Sequence, residues 1–174
     1  MNSAIDHGDR IYILAAFSVF LSLIEYMVPK PFPFMRLGLA NLPILIALGI
    51  FSPRRVLLLT LYKVIAQGLV QGTLFSYIFL FSVTGSFAAS LAMIGAHRFL
   101  GQRVSLIGVS VLGAFVGNMV RLYLARYVLF GDQVWIIAPP FLIMGLVSSI
   151  LIGVFSAAFA AKSRWLKRAA GAGS

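Results

Sequence analysis

The amino-acid sequence predicts an all-α integral membrane protein, a bundle of six transmembrane helices. Of its 174 residues, 61% are hydrophobic and only 10% are charged, a composition outside the range of soluble domains. Several apolar runs approach or exceed the ~20 residues that cross a bilayer as a helix. Continuous apolar runs favour helices over a barrel, whose strands alternate in polarity. The chain length fits a single transmembrane domain, residues 1–174.

Six spans follow from the apolar runs and from the breaks between them. The spans are predicted at residues 11–28, 37–51, 56–70, 74–96, 105–124 and 136–161. The breaks are rich in Pro, Gly and Arg and lie at residues 29–33, 52–55, 72–73, 101–103 and 131–132. The second and third spans are short, since about 15 residues give roughly 22 Å of helix. Pro43 also removes a backbone donor early in the second span, so we expect that span to be bent or partly unwound.

The basic residues predict the orientation of the bundle. The chain has 14 Lys and Arg and a net charge of +10. With the N-terminus inside and six spans, nine of these cations lie in inner segments, whereas Lys30, Arg36 and Arg126 lie outside. Membrane proteins carry such an excess on the cytoplasmic side. We therefore expect a multi-pass protein of the cytoplasmic (inner) membrane, with both termini cytoplasmic and no cleavable signal.

Ionisable and amide side chains inside the spans are costly in lipid and are candidates for function. On the third span, Lys63, Gln67 and Gln71 recur every four residues and share one helix face. They either line a cavity or bond to neighbouring helices. Asn118 and Arg121 share a face of the fifth span, and Glu25 lies near the outer end of the first. We expect Glu25 and Arg121 either to form a buried ion pair with each other or to contact a ligand.

The stretch PKPFPFMRLGLANLP, residues 29–43, follows the first span on the outside. Its prolines stiffen the backbone, so we expect an outer lid, with Arg36 and Asn41 facing a cavity and Lys30 meeting lipid headgroups. Cations exceed acids around the outer half, which favours an anionic ligand. The predicted substrate-binding residues are Glu25, Arg36, Asn41, Lys63, Gln67, Gln71, Asn118 and Arg121.

Several kinds of chemistry lack the residues they need. The chain has no Cys, which removes disulfides and thiolate metal sites. Its four acids, Asp6, Asp9, Glu25 and Asp132, form no cluster in the sequence that would hold Mg²⁺ against a diphosphate. No phosphate-binding loop for ATP is present. We therefore expect no enzyme, no catalytic residue and no metal site, and any transport requires a partner or a gradient.

Three stretches carry a family resemblance: MRLGLANLPILIAL, GLVQGTLFSYIFLFSVTGSFAASLAM and VSLIGVSVLGAFVGNMVRLYLA. With their spacing they resemble the Gx transporter family, historically labelled heptaprenyl diphosphate synthase component I, over roughly residues 11–160. That family is related to the substrate-binding S components of energy-coupling factor transporters. The resemblance implies a vitamin-like ligand near the outer face and a transmembrane coupling subunit with ATPases. Where the family often has His-Asn and then Gln, this chain has Gly117-Asn118 and Arg121.

The function that the resemblance and the charge pattern indicate is transport or binding of a small anionic, vitamin-like metabolite, with no nucleic-acid partner. The best single ligand is a non-covalent flavin, FMN or riboflavin, supplied to extracytoplasmic flavinylated redox proteins. Its ring would stack on Phe32, Phe34 or Tyr26, although these aromatics equally suit an interfacial belt. Two alternatives stay open: a non-catalytic membrane partner of a prenyl diphosphate synthase in quinone biosynthesis, and an assembly factor of a membrane redox complex.

Overall fold

The computed structural model describes residues 7–27, 38–100 and 104–162, and these residues form helices and turns without a β-strand. The α-helices are α1 (His7–Met27), α2 (Leu42–Leu48), α3 (Pro53–Val70), α4 (Tyr77–Leu100), α5 (Leu106–Ala125) and α6 (Val134–Lys162). This confirms the all-α class. Lys30, Arg36 and most of the predicted lid lie outside the described residues, as do both chain ends.

The second segment is much shorter than a membrane span. A single 3₁₀ turn, Leu39–Asn41, leads into α2, which has only seven residues, or about 10 Å of helix. The expected distortion is confirmed, and helical structure in the described part of this segment is limited to Leu39–Asn41 and Leu42–Leu48. Pro43 lies in the first turn of α2, where its missing N–H costs nothing. Residues 43–48 are all buried, so this broken backbone is enclosed by other helices.

The turns form where the sequence predicts breaks. Gly72 and Gly131 have φ of +64° and +56°, a region that glycine adopts without a steric cost. Ser52 is extended and Pro53 opens α3, so this helix starts earlier than predicted because Pro suits a first turn. The start of α4 is later than predicted because the Ser76 hydroxyl closes a turn by donating to the Thr73 carbonyl, 2.8 Å away.

Helices α4, α5 and α6 pack as successive antiparallel neighbours through small residues. A Cβ on Gly117 of α5 would lie 2.8 Å from the carbonyl oxygen of Gly85 in α4. A Cβ on Gly153 of α6 would lie 2.7 Å from the Cα of Ile107 in α5. Such distances are too short for any side chain, so glycine sets how closely these helices approach.

Two apolar cores flank the region where the polar side chains meet. One surrounds the buried α2 and includes Ile44, Leu45 and Leu59. The other lies among α4, α5 and α6 and includes Phe81, Leu122 and Phe141. Helix α1 packs on α3, where the rings of Tyr12 and Tyr62 lie 6.2 Å apart. The polar faces of α1 and α3 are thereby brought beside the turn that precedes α2.

Two stretches of the described residues are helical, long and apolar enough to cross a membrane. They are Tyr77–Phe99 and Leu106–Phe159, and only 33% of the most apolar window in the second is buried inside the protein. The second stretch turns at Gly131, so it comprises α5 and α6 folded back on each other. Tyr12–Met27 and Leu39–Leu48 are shorter apolar helical stretches. Six spans with cytoplasmic termini stay a prediction.

Candidate functional site

Lys63 and Asn41 form the centre of a buried polar region. Lys63 lies on α3 with only 4% of its surface exposed. Its Nζ donates to Oδ1 of Asn41 over 2.6 Å. Asn41 is the last residue of the 3₁₀ turn before α2, and the shortness of α2 is what leaves this residue within reach of α3. A charged ammonium in such a position requires polar neighbours, because burying an unpaired charge is very costly.

Glu25 joins the same region from α1. Its side chain is 2% exposed, and its Oε2 accepts a hydrogen bond from the backbone N–H of Gly38 over 3.1 Å. Gly38 has φ of +87°, and a Cβ there would lie 3.3 Å from Nδ2 of Asn41. Both observations favour glycine at this position. Glu25, Gly38, Asn41 and Lys63 therefore form one chain of contacts that links α1, the 3₁₀ turn and α3.

Gln67 lies one turn after Lys63 on the same face of α3 and is 3% exposed. Its Nε2 has no hydrogen-bond partner among the described residues. An unsatisfied buried donor costs about 1–3 kcal/mol, which a ligand oxygen or a water molecule would recover. We call the group of Glu25, Gly38, Asn41, Lys63 and Gln67 the Lys63 cluster.

Gln71 belongs to the end of α3 more than to this cluster. It is the residue at which α3 ends, and its surface is partly exposed. Its Nε2 also has no hydrogen-bond partner in the described part of the chain. Lys63 and Gln67 are therefore both buried on the predicted face of α3, whereas Gln71 lies at the partly exposed end of that face.

Asn118 and Arg121 form a second buried polar pair on α5. Arg121 Nη1 donates to Asn118 Oδ1 over 3.1 Å, and the two residues are 5% and 4% exposed respectively. The predicted common face is confirmed. The Arg121 guanidinium lies against α4, where a Cβ on Gly85 would come within 2.5 Å of its Cζ. On the other side, a Cβ on Gly145 of α6 would clash with the Asn118 amide. The expected ion pair between Glu25 and Arg121 stays a prediction.

Four residues that contribute to these polar groups are absent from the predicted set of substrate-binding residues. Gly38 provides a backbone N–H, and Gly85 leaves the space that Arg121 fills. Neither contribution involves a side chain, so neither could be recognised from residue type. Thr60 and Ser90 are joined by a hydrogen bond of 2.8 Å between α3 and α4. Thr60 lies three residues before Lys63 and seven before Gln67 on the same face of α3, so this helical spacing was the available signal.

Arg126, one of the cations predicted to lie outside, forms an ion pair away from these groups. Its Nη2 lies 2.6 Å from Oδ1 of Asp132, and the two side chains are 37% and 81% exposed. Its charge is thus largely offset at the surface. The cations that the structure places in buried polar groups are Lys63 and Arg121.

The described residues form an all-helical bundle with apolar outer faces. Its buried polar groups consist mainly of amide and cationic side chains. The chain belongs to the family described as heptaprenyl diphosphate synthase component I, whose model matches residues 14–159. The matched region contains the Lys63 cluster and the Asn118–Arg121 pair. The resemblance noted from the sequence is thereby confirmed for this family, while the relation to S components stays a prediction. No curated protein and no solved structure matches the chain.

Proposed function

We propose that the protein is a multi-pass protein of the cytoplasmic membrane with six membrane segments, the second of them a short inserted helix. Large apolar side chains cover the outside of α6, where Ile143, Leu151 and Phe155 are 62%, 56% and 67% exposed. Exposed apolar surface of this kind is suited to lipid. The positive charge bias favours cytoplasmic termini.

Within that membrane bundle, the function we propose is binding or transport of a small anionic metabolite. The single observation that carries this proposal is the buried Lys63 ammonium, held by Asn41 beside the unsatisfied amide of Gln67. A scaffold needs no buried lysine, and the Lys63 ammonium lies on the same face of α3 as the Gln67 amide, so one bound anion can face both donors. Lys63 and Gln67 would both donate to the oxygens of such a ligand.

A flavin such as FMN is the ligand we propose to test first. Its phosphate oxygens match the Lys63 ammonium and the amide donor of Gln67 beside it. Tyr26 is 62% exposed and would contact the ring only at the outer end of α1, whereas Phe32 and Phe34 lie outside the described residues. The protein would act without catalysis of its own and with a coupling partner or a gradient.

The test is a titration of the purified full-length chain in lipid nanodiscs with FMN, followed by quenching of flavin fluorescence. We expect saturable FMN binding, weaker binding of riboflavin, which lacks the phosphate, and a loss of about tenfold in Lys63→Met, equivalent to about 1.4 kcal/mol. Arg126→Gln is the matched control, because it removes an exposed cation. If neither flavin saturates, or if the two variants bind equally, this ligand or this site is wrong.

A second candidate function is favoured by the family description: a non-catalytic membrane partner of a heptaprenyl diphosphate synthase. The small number of acids in the chain suits a partner better than a prenyl-transferring subunit. This function predicts that the chain captures the soluble synthase subunit on membranes, and that Lys63→Met captures it equally well. A role in assembling a redox complex is the remaining alternative, and it predicts capture of that complex instead.

A further inference from the structure

A cavity lies at the end of the bundle where α2 turns into α3 and where α4 ends. Its volume is ≈ 290 Å³. The walls are apolar and include Leu48, Phe51, Val56 and Ile94, while His97 and Arg98 line it from the last turn of α4. We call this cavity the α4-end cleft. It shares no residue with the Lys63 cluster or with the Asn118–Arg121 pair.

The apolar walls of the α4-end cleft belong to a packed core. Leu48, Phe51 and Val56 are 7%, 7% and 0% exposed and form part of the core around α2. Walls that are fixed by core packing form a pre-shaped site. Apolar walls favour contact with hydrocarbon over contact with water, so an acyl chain is a suitable occupant in a membrane.

Cations lie next to this apolar space. Arg98 and His97 line the cleft itself and are exposed. Arg54 and Arg55, also exposed, occupy the first turn of α3 directly after Pro53, which lies on the cleft. Basic pockets between helices on the cytoplasmic side of a membrane bind anionic lipid headgroups. An apolar cavity with a cationic edge therefore fits an amphiphile that has a phosphate head.

We propose that the α4-end cleft binds one anionic phospholipid, with an acyl chain against Leu48, Phe51, Val56 and Ile94 and with its phosphate against Arg98 and His97. This site is separate from the metabolite site. It rests on the membrane placement proposed above, which is tested independently by the cysteine labelling described in the Discussion. Arg98 provides the fork of donors that grips the phosphate.

The proposal is tested by native mass spectrometry of the purified full-length chain with dioleoyl phosphatidylglycerol or dioleoyl phosphatidylcholine added to the detergent. We expect one phosphatidylglycerol to be retained in preference to phosphatidylcholine. Arg98→Gln should weaken that retention about fivefold, which corresponds to about 1 kcal/mol for one cation near a lipid surface. Arg98→Lys should restore most of it, and Arg126→Gln, at the opposite end of the bundle, should leave it unchanged.

Equal retention of the two lipids, or equal losses in Arg98→Gln and Arg126→Gln, would overturn the proposal. Displacement of phosphatidylglycerol by an equal concentration of geranyl diphosphate would also overturn it, and would reassign the cleft to isoprenoid diphosphates. Circular dichroism establishes that each variant is folded. FMN titration of Arg98→Gln separates the two sites: unchanged FMN binding with lost lipid retention supports a distinct lipid site, whereas a joint loss contradicts it.

Discussion

Lys63 and Asn41 are bonded to each other across 22 residues of sequence, with 2.6 Å between Nζ and Oδ1. This bond ties α3 to the turn before α2, and the bond from Gly38 to Glu25 ties that turn to α1. The position of the short, buried α2 is therefore linked to the hydrogen bonds that Lys63 and Glu25 make.

The Asn41–Lys63 bond should contribute measurably to stability. In a double-mutant cycle with Asn41→Ala and Lys63→Met, we expect a coupling free energy of about 1.5–3 kcal/mol, as for hydrogen bonds to charged groups. Denaturant unfolding in detergent micelles measures it. The control cycle is Arg126→Gln with Asp132→Asn, an exposed pair for which about 0–1 kcal/mol is expected. Equal coupling free energies in the two cycles would show that the buried Asn41–Lys63 bond contributes no more to stability than the exposed Arg126–Asp132 pair.

Gln67 should show opposite effects on stability and on ligand binding. Its Nε2 is buried without a partner among the described residues, so Gln67→Leu should raise the free energy of unfolding of the ligand-free protein by about 1–3 kcal/mol. The same variant should bind FMN more weakly, because a donor to the ligand is lost. Gln71→Leu should also raise the free energy of unfolding, since its Nε2 lacks a partner in the described part of the chain, but it should change FMN binding less because Gln71 lies at the end of α3. A destabilised Gln67→Leu would show that the amide is already satisfied without ligand.

Gly85 and Gly95 on α4 should respond differently to the same substitution. A Cβ on Gly85 would overlap the Arg121 guanidinium, whereas a Cβ on Gly95 meets nothing within 4 Å. We expect Gly95→Ala to raise the thermal midpoint, since Ala is favoured over Gly in a helix by about 0.5–1 kcal/mol. Gly85→Ala should lower the midpoint, because Arg121 must leave its place. If both variants are stabilised, the close contact between α4 and Arg121 does not exist.

The proposed topology can be tested because the chain contains no cysteine. Phe75→Cys and Asp132→Cys lie in the turns after α3 and α5, and Ser52→Cys and His97→Cys lie at the other end of the bundle; all four positions are exposed. In intact cells, an impermeant maleimide should label the first two variants only. Labelling of all four at equal rates, or labelling of the second pair alone, would refute the six-segment topology with cytoplasmic termini.

Much of the fold could be predicted from the sequence because its signals are local. The breaks at Pro53, Gly72 and Gly131 each depend on one residue's backbone preferences, and the structure confirms all three. The distortion of the second segment followed from its length and from Pro43. The reduction of this segment to a helix of seven residues could not be predicted from the sequence, because it depends on the helices that enclose α2.

The candidate site was predictable only in part. Asn118 and Arg121 were correctly predicted to share a helix face because they are three residues apart, and the structure adds the hydrogen bond between them. Arg36 lies outside the described residues, so its role as the main lid cation stays a prediction. The assignment of Asn41 to Lys63 was not available from spacing, because the two residues are on different elements and meet only when α2 inserts beside α3.

The sequence by itself determined the helical class, the apolar outer surface and the residues that are polar where lipid or core would surround them. Those properties depend on composition and on periods of three or four residues. Only the tertiary structure decided which polar groups meet: Glu25 with the Gly38 amide, Lys63 with Asn41, and Arg121 with the space left by Gly85. The reason is that these contacts depend on how closely the helices approach one another. That distance is set by glycines, which have no side chain, and by the length of the short helix α2.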